Sequence, residues 1–348
     1  MTQTGGHLGP VTFDRKGQRI RPFSIAPWAQ EKIDPAFPTL LKALRGDFFC
    51  LPFGGNGTPF RGEKHPPHGE TANAKWTLEW SDASSLHLSM RMMTRRGRVD
   101  KFITLPDDHD AVYQRHIVSG MSGPMSVGHH AMLKFPDYEA AGVVSSSGFK
   151  SAQVLPMPFE QPVNRGYSIL KTGAPFTTLT RVPMMTGHTT DVARYPARRG
   201  FDDLVMLSDQ RRGRLSDYAA WTAVTFPKEG FVWFALKDPN VLRNTILWLS
   251  NGGRHYPPWN GRHINVMGIE EVTSHFHIGL AESVKAGATI ELNPRKPLTV
   301  NYIIAVAPIP RGFDRLASIT RERGGVKLRS DSGRTVRVAV DIDFLHGT

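Results

Sequence analysis

Short segments that alternate apolar and polar residues, separated by turn-forming residues, recur along this chain from residue 11 to residue 344. In "SSLHLSMRMM", Leu86, Leu88, Met90 and Met92 fall on one face of an extended strand, because successive side chains of a strand point to opposite sides. The 33 glycines and 26 prolines supply breaks between such segments. This pattern favours many short strands over a bundle of helices.

Further segments rich in β-branched and aromatic residues predict strands: "AVYQRHIV", "GFVWFAL", "NTILWLS", "RHINVMGI", "ATIELN", "LTVNYIIAVA" and "VRVAVDIDF". Helix is scarce. Residues 312–323, "GFDRLASITRER", have the best amphipathic helical pattern, and residues 37–44, "FPTLLKAL", predict a turn or two of helix. Because neither a low-complexity linker nor an internal repeat interrupts the strands, the sequence predicts an all-β antiparallel sandwich, as a single domain over residues 1–348.

Composition restricts the cellular compartments in which such a chain is expected. It has 40% hydrophobic and 21% charged residues, which is typical of a soluble globular protein. Cys50 is the only cysteine, which excludes an intrachain disulfide and favours a reducing compartment. The first residues lack the apolar core of a signal peptide, and the longest apolar runs are too short to cross a bilayer. We therefore expect a soluble, cytoplasmic protein with no membrane partner.

The formal net charge of +12 raises the question of a polyanionic partner. The basic residues, however, are spread in small groups, such as Arg198 and Arg199, or Arg211, Arg212 and Arg214. No motif of a nucleic-acid-binding fold accompanies them. The sequence thus predicts solvated surface and no nucleic-acid partner, with a small anionic ligand as the alternative.

Several enzyme classes lack their motifs here. The phosphate-binding G-x-x-x-x-G-K-[ST], the dinucleotide-binding G-x-G-x-x-G between a strand and a helix, and the serine hydrolase G-x-S-x-G are all absent from the sequence. One cysteine cannot build a thiolate zinc cluster. The remaining chemistry must come from histidines, carboxylates and arginines.

Such residues are concentrated in four segments: "KALRGDFFCLPFGGNGTPFRG" leading into "HPPHGETANAKW", "GPMSVGHHAMLKFPD", "GFDDLVML", and "SNGGRHYPPWNGRHINVMGIEEV". Prolines before His68 stiffen the backbone and Gly69 after it permits a sharp turn, so the loop either directs His68 or merely closes. Trp76 would anchor the next strand. Glu270 follows an apolar run, and an acid in that position needs a partner or a chemical role.

The order of these segments, from residue 45 to residue 271, resembles the galactose mutarotase-like superfamily, which includes aldose 1-epimerases and hexose-6-phosphate mutarotase-like proteins. The resemblance implies a β-supersandwich without a metal or redox cofactor. It also implies roles for individual residues. Arg45 and His68 would contact the sugar, Asp203 would bind its hydroxyls, His130 would be the general acid and Glu270 the base.

The implied activity is the exchange of sugar anomers, on a monosaccharide or a sugar phosphate. A base takes the anomeric proton while an acid protonates the ring oxygen, and the opened sugar rotates and recloses. We expect the two groups on opposite sides of the ring, with the carboxylate favouring the charged form of His130. Trp259 or Tyr256 would stack on the sugar. The roles of His129 and Glu271, and the oligomeric state, stay open.

Departures from the family pattern keep two alternatives open. Ala72 stands where relatives often carry an arginine, and Glu271 follows the base where many epimerases carry proline. A non-catalytic carbohydrate-binding protein with the same cleft is one alternative. The other is a cupin-type protein, in which His275, His277 and Glu282 of "HFHIGLAE" bind a metal ion on a strand.

Overall fold

The computed structural model describes residues 1–15, 17–208 and 219–347 of this chain. The basic group Arg211, Arg212 and Arg214 lies outside the described residues. Within them, strands dominate and the two α-helices are short. None of the helices in the described ranges has the length and apolar character needed to cross a membrane.

The strands, in chain order, are β1 Phe13–Arg15, β2 Gln18–Ile20, β3 Phe49–Cys50, β4 Thr77–Ser81, β5 Ser85–Met92, β6 Gly97–Thr104, β7 Ala111–Ser119, β8 Gly123–Met125, β9 Val127–Lys134, β10 Gly142–Ser146, β11 Ser151–Val154, β12 Pro175–Phe176, β13 Val182–Pro183, β14 Thr189–Thr190, β15 Arg194–Tyr195, β16 Phe201–Ser208, β17 Ala220–Phe226, β18 Phe231–Lys237, β19 Asn244–Asn251, β20 Val266–Thr273, β21 Ile290–Leu292, β22 Leu298–Pro308, β23 Leu316–Glu322, β24 Gly325–Ser330 and β25 Thr335–Val338. The helices are α1 Thr39–Ala43 and α2 Leu280–Lys285, with 3₁₀ turns at Glu70–Ala72, Pro162–Asn164 and Ile342–His346.

Two large sheets form the body of the structure. One has nine strands in the order β15-β10-β17-β18-β22-β7-β6-β5-β4, and the other has seven in the order β12-β11-β16-β19-β20-β9-β3. Neighbouring strands in both sheets pair antiparallel. The predicted all-β sandwich is therefore confirmed.

The main hydrophobic core lies between the two sheets. Leu88, Met90 and Met92 of β5 are buried in it, which confirms the face predicted from their alternation. Trp233 of the nine-stranded sheet and Ile269 of the seven-stranded sheet belong to the same core. Because side chains alternate along each strand, the neighbours of these residues face outward from the sandwich.

The outer face of the nine-stranded sheet is covered by the small sheet β23-β24-β25. Leu316 and Leu328 of that sheet pack with Phe234 of β18. The helix predicted over residues 312–323 is wrong, because residues 316–322 form strand β23 and pair with β24. The short helix predicted in residues 37–44 is confirmed as α1.

The outer face of the seven-stranded sheet carries a second apolar cluster. Trp248 of β19, Met132 of β9 and Val272 of β20 contribute from the sheet, while Trp28 and Leu40 cover them from the segment before β3. Two elements of this face, β9 and β20, are the strands that bear His130 and Glu270. The fold thus presents these two residues beneath a cover of apolar side chains.

Candidate active site

A cavity of about 240 Å³ opens on the outer face of the seven-stranded sheet. Its polar walls are His68, His130, His277 and Arg254. The rest of the lining is largely apolar and includes Leu40, Leu41, Leu44, Phe48, Trp248 and Trp259. Buried polar side chains in an apolar enclosure are the usual composition of a small-molecule site.

His130 and Glu270 come together through strand register. They are directly paired residues on β9 and β20, so their side chains emerge on the same face of the sheet. Nε2 of His130 lies 3.2 Å from Oε1 of Glu270. The carboxyl group is fully buried, and Phe48 stacks on the imidazole at 4.6 Å between ring centroids. The predicted acid and base are therefore side by side, and not on opposite sides of a ring.

His277 belongs to this site, although the sequence pattern places it with His275 and Glu282 in the alternative cupin-type metal site. It follows the end of β20, and its Nε2 is hydrogen-bonded to Oε2 of Glu270. His277 also lines the cavity, so it lies between the carboxylate and the open space. Glu270 thus contacts an imidazole through each of its two oxygens, from His130 and from His277.

The loop that carries His68 places its ring in the same wall. The backbone N–H of His68 donates to the carbonyl of Gly54 at 2.7 Å, and Gly69 has φ of 75°, which reverses the chain. Nδ1 of His68 lies 3.4 Å from Sγ of Cys50, which leaves Nε2 as the free ring nitrogen. Trp76, buried at the end of this segment, donates from Nε1 to the carbonyl of Thr71 at 2.9 Å.

Arg254 was not predicted as a site residue. Its Nε lies 2.6 Å from Oε1 of Glu160 and 3.5 Å from Oδ2 of Asp202. The guanidinium also lies over the rings of Trp248 and Trp259, at 5.1 and 4.6 Å from their centroids. The charge pattern of one loop does not reveal these contacts, because the partners of Arg254 come from three separate segments of the chain.

Burial opposes ionisation throughout the site. It raises the pKa of Glu270 well above the ordinary value, and the neighbouring Glu271 adds to this rise. Burial also lowers the pKa of His130 and of His68 well below the ordinary value, and lowers that of His277 to about 3. The expectation that a nearby carboxylate would favour charged His130 is wrong, since desolvation outweighs the attraction.

The adjacent residues His129 and Glu271 point to the other face, into the core between the sheets. Nδ1 of His129 lies 2.9 Å from Oδ2 of Asp47. Glu271 pairs with Lys237 of the opposite sheet and accepts a hydrogen bond from Thr245 at 2.7 Å. The Glu271–Lys237 pair links the two sheets, and neither pair includes a residue of the cavity lining.

Three predicted sugar contacts lie outside the cavity. Nε of Arg45 donates to the carbonyl of Ala43 at 3.1 Å. Oδ1 of Asp203 accepts hydrogen bonds from two backbone N–H groups, at 3.1 and 2.9 Å. Asp203 lines a separate apolar cavity of about 470 Å³. The hydroxyl of Tyr256 donates to Glu160. Strand alternation explains Asp203, because its neighbour Asp202 takes the face towards Arg254.

The cupin interpretation is wrong. The chain leaves β20 at Thr273, so His275 and His277 do not share a strand face. Among the described residues, His277 groups with His68 and His130 and not with His275. The surrounding fold is the two-sheet sandwich, and not a pair of small barrels.

Comparison with solved structures identifies the fold. A candidate aldose 1-epimerase from Escherichia coli K12 matches with a TM-score of 0.54 and 14% identity, over 78% of this chain and 86% of that one. A galactose mutarotase related enzyme from Lactobacillus acidophilus matches with a TM-score of 0.50 and 12% identity, over 75% and 82%. A candidate aldose 1-epimerase from Klebsiella pneumoniae matches with a TM-score of 0.53 and 11% identity, over 79% and 66%.

No family model matches the sequence, and no curated protein does. Identities of this size establish shared architecture and leave activity open. The strand content, the antiparallel pairing and the solved neighbours agree with one another. The chain has the galactose mutarotase-like β-sandwich fold, as the order of its polar segments predicts.

Proposed function

We propose that this protein interconverts the anomers of a monosaccharide by acid–base ring opening, with Glu270 as the proton acceptor and His130 as the proton donor. The observation that carries the proposal is the pairing of these residues, 3.2 Å apart, at the cavity of a mutarotase-like fold. Both are polar groups that an apolar face does not need for packing.

Their side-by-side placement suits the reaction. The anomeric oxygen and the ring oxygen are bonded to the same carbon, so the groups that serve them must also be neighbours. A sugar that lies over His130 and Glu270 presents both oxygens to this pair.

The proton steps follow from the contacts. Burial disfavours each charge alone, so a proton that passes from Glu270 to His130 creates the carboxylate and the imidazolium together, each stabilised by the other. The imidazolium donates its proton to the ring oxygen as the bond to the anomeric carbon breaks. The anomeric hydroxyl passes its proton to Glu270 by way of His277, because His277 is hydrogen-bonded to the carboxylate. Reclosure on the other face of the aldehyde reverses both transfers.

The same walls select the ligand. A volume of about 240 Å³ lies just below the range of about 300–1,000 Å³ usual for small-molecule cavities, which favours one sugar ring. His68 supplies a hydrogen bond to a hydroxyl, and Trp259 supplies an aromatic surface for the ring's C–H groups. Because Glu160 and Asp202 already balance Arg254, the site favours an uncharged sugar over a sugar phosphate.

A panel of pure α-anomers tests the proposal. Neutral, acidic and phosphorylated hexoses are each added to the purified protein, and anomer exchange is followed by polarimetry and NMR exchange spectroscopy. We expect at least one neutral hexose to equilibrate faster than in buffer. Exchange at the buffer rate for every sugar overturns the proposal, and sugar binding without acceleration would select the non-catalytic alternative.

A further inference from the structure

Three imidazole rings converge at the candidate active site from distant parts of the chain. The ring centroids of His68, His130 and His277 lie 5.1 Å, 5.1 Å and 5.5 Å apart, so the rings form a nearly equilateral triangle. One ligand atom from each lies within 4.8 Å of the other two. Acid–base exchange of anomers needs one donor and one acceptor, so it does not by itself require three imidazoles at one point.

The spacing fits a transition-metal ion. Zinc holds imidazole nitrogens at about 2.0–2.1 Å, so nitrogens already within 4.8 Å of one another converge on one ion after small side-chain rotations. The available nitrogen of His68 is Nε2, because Nδ1 faces Cys50. Neutral imidazoles are the ligands that zinc, iron, nickel and copper ions share.

Glu270 adjoins two of these three imidazoles without belonging to the triangle itself. Its two oxygens contact His130 and His277, so an ionised Glu270 favours a cation held by the three rings. The one nearby cationic side chain among those that line the cavity, Arg254, is balanced by Glu160 and Asp202.

We propose that His68, His130 and His277 bind one divalent transition-metal ion, of the zinc class, in the cavity, beside the carboxyl group of Glu270. Bound metal occupies the nitrogen of His130 that donates the proton, and therefore blocks anomer exchange. Metal binding stands on the geometry of the three imidazoles. Only the predicted inhibition rests on the proposed function.

Titration of tag-free, chelator-treated protein with Zn²⁺ and with Co²⁺ tests the site. We expect one ion per chain by calorimetry, and intense visible absorption from four-coordinate Co²⁺, with no response to Mg²⁺. His277→Ala should weaken Zn²⁺ binding by at least about 100-fold, the upper end of the loss caused by removing a ligand's supporting partner. The matched control is His275→Ala, which changes a histidine of the same loop outside the triangle and should bind Zn²⁺ as the wild type does.

The possible results separate the two proposals. The metal site is overturned if the protein binds neither Zn²⁺ nor Co²⁺. It is also overturned if the affinities of His277→Ala and His68→Ala for these ions stay within threefold of the wild-type affinity. Both outcomes count whether or not the apo protein exchanges anomers. Binding by an apo protein that does not exchange anomers supports the metal site and removes the epimerase. If His277→Ala fails to fold by circular dichroism, His277→Gln replaces it, since the amide keeps the hydrogen bond to Glu270 but removes the imidazole.

Discussion

His130 and Glu270 are directly opposed residues on the antiparallel strands β9 and β20, with Nε2 and Oε1 3.2 Å apart. The adjacent pair repeats this arrangement, because His129, which precedes His130, is opposite Glu271, which follows Glu270, and both face inward. Both faces of one strand pair therefore carry a histidine and a glutamate. Of these four residues only His130 lines the cavity, and Glu270 lies behind the lining in contact with His130 and His277. The two glutamates therefore have separable roles that mutation can distinguish.

Glu270→Gln should abolish most of the anomer exchange. The amide has nearly the shape of the carboxyl group, but it cannot accept the proton of the anomeric hydroxyl. We expect the rate to fall by about 10²–10⁴-fold, the usual contribution of a general acid–base group. Polarimetry on the preferred sugar measures it, with Glu291→Gln, an exposed glutamate outside the cavity lining, as the control. A rate within twofold of the wild type would remove Glu270 from the mechanism.

Glu271→Gln should instead act on stability. Glu271 and Lys237 are buried at opposite sheets and form an ion pair across the core. Neutralising one partner leaves a buried, unpaired cation, which costs about 3–5 kcal/mol of unfolding free energy. Urea unfolding measures this loss. The control is Glu31→Gln, which breaks an exposed pair with Arg262 and should leave the urea midpoint close to that of the wild type.

The double variant Glu271→Leu with Lys237→Met checks the physical cause. It removes both charges, so no unpaired cation remains in the core, and we expect it to regain most of the stability lost in Glu271→Gln. A double variant as unstable as the single one would show that packing, and not the unpaired charge, caused the loss.

The strands were predictable because alternation is a local property of the sequence. Leu88 and Met90 of β5 show it, and the structure buries them. Residues 312–323 predict a helix because Leu316 and Ile319 are three residues apart, as on a helix face, although the structure has strand β23 there. In the structure the register of β23 against β24 shifts between Leu316 and Ser318, which interrupts the alternation that would have marked a strand.

The site was predictable only where a residue belongs to a recognisable segment. His130 and Glu270 lie in such segments, and the structure brings them together. His277 lies in "HFHIGLAE", where a continuing strand would pair it with His275, but the chain leaves β20 at Thr273. Arg254 had no local signal at all, since its carboxylate partners Glu160 and Asp202 are far away in the chain. Contacts between remote segments are set by the fold and leave no periodicity in the sequence.

Asp203→Asn should change how stability depends on pH. Burial raises the pKa of Asp203 from 3.8 to about 6, although its carboxylate accepts N–H groups of Ile169 and Leu170. The folded state therefore holds the proton to higher pH than the unfolded chain, and the wild type loses stability as the pH rises from about 4 to about 6. The amide oxygen of asparagine accepts the same N–H groups and does not titrate.

The free energy of unfolding of Asp203→Asn, relative to the wild type, should thus grow by up to about 3 kcal/mol between pH 4 and pH 7, as a shift of about two pKa units implies. Urea titrations at both pH values give the difference directly. An equal difference at the two pH values would mean that folding does not raise the pKa of Asp203.

Gly69→Ala should disturb the cavity from outside it. Gly69 has φ of 75°, and an added Cβ would lie 1.9 Å from the carbonyl oxygen of Leu51, so the loop must move and take the adjacent His68 with it. We expect a loss of more than about 1 kcal/mol in unfolding free energy, together with slower anomer exchange and weaker Zn²⁺ binding. Gly57→Ala is the control in the preceding loop, since its Cβ meets no atom within 4 Å and should change stability by no more than about 0.5 kcal/mol. Equal behaviour of the two variants in urea unfolding, sugar exchange and Zn²⁺ titration would mean that the turn at Gly69 does not position His68.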